Sequence, residues 1–180
     1  MGLLVAMTML AFLWAPATAE GGDSTSGRGT TQVRIPRYDK SQAQCRDNRR
    51  CLRDYRERKR CRQLRSSYRQ KVCLIRYAAR YYGQDPDDAV ATAKCESGDD
   101  LDPRAVSPGG TYKGHWQFDR TTWRAAPHSK RIVRTATGAA VTKHGRVQFR
   151  RRSRFSVKYT ALGAMWYWRK GERERWPVCG

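Results

Sequence analysis

Residues 85–98 read Asp-Pro-Asp-Asp-Ala-Val-Ala-Thr-Ala-Lys-Cys-Glu-Ser-Gly, and this stretch decides what kind of domain surrounds it. Asp85 suits a helix N-cap, Pro86 suits the first helical position, and Asp87 and Asp88 place acid where the helix dipole favours it. Ala89, Val90 and Ala93 follow as a small apolar stripe. Ala89, Ala93 and Glu96 stand at i, i+4 and i+7, so Glu96 is expected to share the core-facing stripe at the C-terminal end of the helix. Burial and the negative end of the dipole both disfavour a carboxylate there and should raise its pKa. A carboxylic acid that keeps its proton towards neutral pH is what glycosidic cleavage needs, because the leaving oxygen must be protonated. An ordinary, partly exposed glutamate at a helix end is the competing reading of position alone.

Outward from this helix the pattern stays helical. Val72, Ile75, Ala79 and Tyr82 recur at helical spacing on the N-terminal side, and Gly83 supplies a stop. On the C-terminal side a Gly-containing stretch (Ser107 to Gly110, then Gly114) leads to a short helix from Asp119 through Trp123. Residues 127–155 are basic and irregular, with strand fragments expected around Ile132–Val133 and Val147–Phe149. A final helix from about Ser156 to Lys170 carries Tyr159, Ala161, Leu162, Ala164, Met165, Trp166 and Trp168, a density that predicts deep burial. The fold class is therefore expected to be mainly α, a small α+β helical domain with a groove over residues 71–180.

The N-terminal side is organised differently. Residues 2–14 form an uncharged apolar run, shorter than the roughly 18 residues a membrane span requires. Ala17-Thr18-Ala19 follows with the small-x-small pattern of a signal-peptidase site, which predicts a signal over 1–19 and a secreted or cell-wall-associated chain. No Lys or Arg precedes the run, and an uncleaved anchor is the alternative. Residues 20–40 read as a flexible linker. Residues 41–70 are arginine-dense, with apolar marks only at Leu52, Tyr55, Leu64 and Tyr68, which suits a helical segment too thin for its own core. Cys45, Cys51, Cys61 and Cys73 would staple it. A nested pairing, Cys51–Cys61 inside Cys45–Cys73, would close a hairpin, but four cysteines allow three pairings and the spacing does not choose. With Cys95 and Cys179 the chain has six cysteines, an even number that suits three disulfides in an oxidising compartment. There is no C-x-x-C pair and only His115, His128 and His144, so neither a metal nor another cofactor is expected.

The formal net charge is +21, unevenly spread. Residues 41–80 hold 14 Lys/Arg against three acids, residues 120–171 hold 14 against none, and residues 81–119 hold eight acids against three bases. Two basic segments flanking an acidic one favour polyanionic surroundings: wall teichoic acids, anionic lipid, nucleic acid or the carboxylates of peptidoglycan stems. For any single arginine a solvated surface role is the plainer reading. The export signal, the cysteine usage and the lack of a DNA-binding motif argue against specific nucleic-acid binding.

Cys95-Glu96-Ser97-Gly98, Tyr112-Lys113-Gly114-His115-Trp116-Gln117-Phe118-Asp119, Thr122-Trp123 and Trp176-Pro177-Val178-Cys179 form an ordered set. Over roughly residues 72–180 this set resembles the resuscitation-promoting factor and transglycosylase-like family of actinobacterial and phage wall enzymes, within the lysozyme-like superfamily. The resemblance implies that Glu96 is the catalytic acid/base, that Cys95 pairs with Cys179, that Tyr112, Gln117 and Thr122 contact glycan, and that the substrate is the glycan strand of peptidoglycan. Trp116 and His115 depart from the family's smaller residues, and Trp116 and Trp123 are expected in the core. Asp119 reads as a helix cap and Asp99, Asp100 and Asp102 as loop acids, so no second carboxylate is compelling for a two-acid glycosidase. That favours a lytic transglycosylase with a single glutamate, acting as a monomer with no membrane span once the signal is removed. A muramidase-type hydrolase and a non-catalytic basic wall-binding protein are the alternatives. The basic stretch 127–155 is expected to flank the groove as an arm.

Overall fold

The computed structural model describes residues 36–134, 140–143, 146–176 and 179. The expected signal, residues 20–35 of the expected linker, His144, Pro177 and Val178 lie outside the described residues.

Among the described residues five α-helices carry the fold: α1 Arg49–Gln63, α2 Ser67–Tyr82, α3 Pro86–Ser97, α4 Arg120–Ala125 and α5 Val157–Arg169. The architecture is mainly helical, as expected. α2 is central and packs against α5, α3 and α1. It starts where Ser66 Oγ accepts from the Arg69 amide and stops at Gly83, whose φ of 72° only glycine adopts at little cost. Its core face is Ile75, Tyr77, Ala78 and Ala79, set against Ala161, Leu162, Ala164 and Met165 of α5. α3 begins as its sequence dictates, with the Asp85 carboxylate accepting from the amides of Asp87 and Asp88. Ala89 and Ala93 are buried, small enough to bring this helix close to its neighbours.

Trp116 and Trp123 are core residues. Trp116 is fully buried and meets Trp168 and Trp176 edge-on at 5.9 and 5.8 Å. This aromatic packing supplies much of the apolar area that such a basic chain can bury. His115 and His128 are also inside. Burial holds both imidazoles neutral, with pKa values down at about 3, and His128 Nε2 meets the Tyr82 hydroxyl at 2.5 Å.

Among the described residues of 127–155 there are two short antiparallel strand pairings, more regular than expected. β1 (Lys130–Ile132) pairs with β4 (Phe149–Arg151), and β2 (Thr142–Lys143) pairs with β3 (Arg146–Val147). Arg152 anchors this arm, donating to the carbonyls of His128 (3.1 Å) and Lys130, while its own carbonyl accepts from Trp123 Nε1 at 3.0 Å.

The linker ends earlier than expected, because residues 37–40 belong to the fold. Tyr38, in a 3-10 turn over Arg37–Asp39, is buried, and Asp39 meets Lys158 (3.1 Å), Arg152 and the Tyr159 hydroxyl (2.9 Å). An aromatic and a carboxylate with three partners cannot behave as linker. The reading of α1 also changes. Its inner face is not the apolar marks Leu52 and Tyr55 but Cys51, Asp54, Arg58 and Cys61. Arg58 donates to the carbonyls of Tyr38 and of Lys40 (2.8 Å), and Asp54 pairs with Arg37. Polar groups can line this seam because each finds a partner.

The disulfides are Cys45–Cys51, Cys61–Cys73 and Cys95–Cys179. The nested alternative fails on helix geometry. Cys51 and Cys61 lie on one continuous helix, so their Cα atoms are about 15 Å apart, whereas a disulfide tolerates no more than about 7 Å. Among the described residues no helix is long and apolar enough to cross a membrane.

Candidate active site

Glu96 is the penultimate residue of α3, next to Cys95 and its disulfide to Cys179. Gly98 ends the helix at φ 89°, with its amide donating to the Lys94 carbonyl at 2.7 Å, and turns the chain away from the helix mouth. Glu96 is left half-buried in a cleft of about 560 Å3. One part of its lining is the loop Ala105–Pro108 with Tyr112 and Gln117, and another is Arg175, Trp176 and Cys179.

Each wall has a physical origin. Val106 bridges Lys113, and Lys113 bridges Phe118, so the 105–118 segment folds back on itself. Gly114 makes that fold possible. It is buried at φ 82°, and a Cβ there would lie 2.2 Å from the Arg154 carbonyl oxygen. Gln117 then takes φ 43°, a left-handed conformation costly for a residue with a Cβ, and its amide Nε2 donates to the Gly114 carbonyl at 2.7 Å. A side chain held in strained backbone at a cleft is a common sign of function. Tyr112 is 49% exposed, free to present its ring to a ligand. On the other wall Trp176 is fixed by its Nε1, which donates to the Trp116 carbonyl at 2.9 Å.

Burial raises the Glu96 pKa above the ordinary carboxylate value, and it is the one cause of the rise. The carboxylate makes no hydrogen bond or ion pair among the described residues. The cation that shares the cleft lining is already engaged: Arg175 Nε donates to Glu172 at 2.7 Å, and its guanidinium lies 4.6 Å over the Tyr167 ring. Glu96 is the only carboxylate lining the cleft among the described residues.

Of the expected site residues, the structure brings Glu96, Tyr112, Gln117, Cys95 and Cys179 together. Thr122 is not among the lining residues. Its amide donates to the Asp119 cap at 2.9 Å, and its carbonyl accepts from Tyr167 at 2.8 Å. The other acids keep structural roles. Asp119 caps α4, Asp99 faces Lys94 at 3.6 Å, and Asp102 accepts from the Arg104 amide at 2.8 Å. The basic arm does not flank this cleft either. None of its described residues lines it, and the arm sits instead against the Tyr38 turn. Arg175 and the Ala105–Pro108 wall were not foreseen. The signal for Arg175 was present, since any bond between Cys95 and Cys179 must carry residues 175–179 to Glu96.

Compared with protein-family models, curated proteins and solved structures, the chain matches none of them.

Proposed function

We propose that this chain is a secreted peptidoglycan-cleaving enzyme of the lysozyme-like kind, a lytic transglycosylase with Glu96 as its single acid/base. The observation that carries this reading is a half-buried carboxylic acid of raised pKa in an open cleft, with no second carboxylate on the lining among the described residues. Protonated Glu96 would give its proton to the oxygen bridging MurNAc and GlcNAc as that bond breaks. The N-acetyl oxygen of the substrate would stabilise the cationic sugar in place of a protein nucleophile. Glu96, now a carboxylate, would take the proton of the C6 hydroxyl while that oxygen closes on C1. The product is a 1,6-anhydro sugar, and the glutamate ends protonated as it began. Direct displacement by water would need a base on the far face, which the cleft lining does not offer among the described residues. Water taking the place of the C6 hydroxyl, with Glu96 as its base, would give a reducing end, so the product distinguishes the two routes.

The test is mass spectrometry of purified cell walls digested with the wild-type chain and with Glu96→Gln. Anhydro-muropeptides from the wild type alone are expected. Reducing-end products would replace transglycosylation with hydrolysis, and equal digestion by both chains would remove Glu96 from the chemistry.

A further inference from the structure

α1 has a second face, which the proposed chemistry does not use. Arg49, Arg53, Arg56 and Arg60 recur at i, i+4, i+7 and i+11, the spacing of one helix face, and all four are exposed. At 1.5 Å per residue the row is about 16 Å long. It lines a groove of about 840 Å3 between α1 and α2, to which α2 adds Arg80. Five guanidiniums meet one carboxylate there, and that carboxylate, Glu57, already accepts from Arg80 Nε at 3.0 Å.

Where an arginine holds elements of this fold together it has a partner, a carboxylate in Arg76–Asp87, Arg173–Asp88 and Arg152–Asp39 and backbone carbonyls for Arg58 and Arg154. The four arginines of the row make no ion pair or hydrogen bond among the described residues. Like charges at i,i+3 and i,i+4 repel one another, and Gln would serve an exposed helix position about as well. The packing of α1 therefore gives no reason for the row, whereas an anionic polymer does.

We propose that this groove binds a polyol-phosphate polymer of the cell wall, a chain of phosphodiesters joined by small polyols. The guanidinium fork takes two oxygens of one phosphate, so a row of forks suits a chain of regularly spaced phosphates. Two rival surfaces fit less well. A membrane-lying helix presents an apolar face to the lipid, but the exposed large hydrophobics (Tyr68, Val106, Tyr112, Phe149 and Phe155) are all outside α1, whose other face is buried in the protein. Single-stranded nucleic-acid sites set aromatic platforms among their cations, and the row carries none. The choice of a wall polymer rests on the proposed wall-cleaving function; the binding itself does not involve Glu96.

The experiment uses the full chain carrying Glu96→Gln, so that loss of cleavage cannot be confused with loss of binding. Affinity for purified poly(glycerol phosphate) is measured across salt concentrations. Two fourfold variants are compared, R49Q/R53Q/R56Q/R60Q in the row and R120Q/R124Q/R150Q/R151Q elsewhere on the surface. A flexible phosphodiester strand contributes about 0.7 to the log–log salt slope per phosphate neutralised. The row variant should thus lose about three units of slope and at least tenfold in affinity at low salt, while the control variant stays within about threefold. Thermal melts of both should match the parent, since the substitutions break no partner. Equal losses in the two variants would reduce the effect to net charge and overturn the site. Binding of single-stranded DNA or of phosphatidylglycerol vesicles as tight as that of the polymer, and equally dependent on the row, would overturn the choice of ligand.

Discussion

Glu96 combines two demands that ordinarily conflict, burial and the lack of a partner. Its folded-state pKa lies above its unfolded value, so the folded chain holds more protons across that window and stability falls as pH rises through it. Replacing it with Gln removes the penalty. At pH 7, Glu96→Gln should melt no lower than the wild type while cleavage drops by a factor on the order of 10² to 10⁴. A lower melting temperature would mark the carboxylate as a structural partner instead. For the same reason, cleavage by the wild type should decline as pH rises through the raised pKa of Glu96, a limb read directly from a pH–rate profile. Gln117 carries its cost in the backbone, at φ 43°. Both Gln117→Gly and Gln117→Ala lose the side-chain bond to the Gly114 carbonyl and keep the backbone one, but only Gly relieves the conformation. Urea unfolding should therefore find the Gly variant more stable than the Ala variant by about 1 kcal/mol, with both poorer at cleavage. An Ala variant as stable as the Gly variant would show that position 117 is unstrained.

At the scale of elements, the three disulfides do unequal work. Cys95–Cys179 closes a separation of 84 residues and Cys45–Cys51 one of six. Loop-closure entropy makes the first worth about 4 to 5 kcal/mol and the second about 2 kcal/mol. Cys95→Ala with Cys179→Ala should thus lower unfolding stability about twice as much as Cys45→Ala with Cys51→Ala, and should also weaken cleavage, because the Arg175–Trp176 wall loses its tie to α3. Equal losses in the two double variants would refute the ranking. The helices that meet here were legible wherever capping chemistry marked them: Asp85-Pro86 opened α3, Gly83 closed α2, and Asp119 capped α4. α1 was legible as a helix but its buried face was not, because its seam is polar. Periodicity looks for apolar residues, and Asp54 and Arg58 are buried through partners supplied by residues 37–40, which no local pattern announces. With α1 recognised as one unbroken helix, the nested disulfide would have been dismissed from the sequence. The cleft was legible in part for a similar reason. Glu96, Tyr112 and Gln117 fall in the quoted motifs, whereas Arg175 reaches the site only through chain closure.

Across the whole molecule, the core of a chain with net charge +21 is held by aromatic packing and by buried polar groups that must stay in one protonation state. The Tyr38 turn, α5 and the basic arm meet at Asp39. Burial alone would raise its pKa, but Lys158 and Arg152 outweigh that and hold it below the ordinary value. Lys158 shares this one carboxylate with Arg152, so burial dominates and brings its own pKa down to about 8. His115 and His128 add the larger pH dependence. Both are buried neutral with folded pKa values of about 3, against an ordinary 6.5. Between those values the unfolded chain binds more protons than the folded one, so stability is complete above about pH 6.5 and drains away as pH falls towards 3. The Asp39 contribution follows at lower pH, lost as its depressed carboxylate protonates. Lys158 acts at the other end, where the unfolded chain again holds the extra proton and stability rises from about pH 8 towards 10.5. Denaturant unfolding at pH 7, 5.5 and 4 should therefore show a progressive loss, on the order of 5 kcal/mol in total, with the steepest part below pH 6. The loss should be accompanied by quenching or exposure of the tryptophans, because His115 adjoins Trp116 at a ring-centroid distance of 6.2 Å. A stability that is flat from pH 7 to pH 4 would mean that these imidazoles accept protons inside the fold, and that the core around Trp116 is open to water.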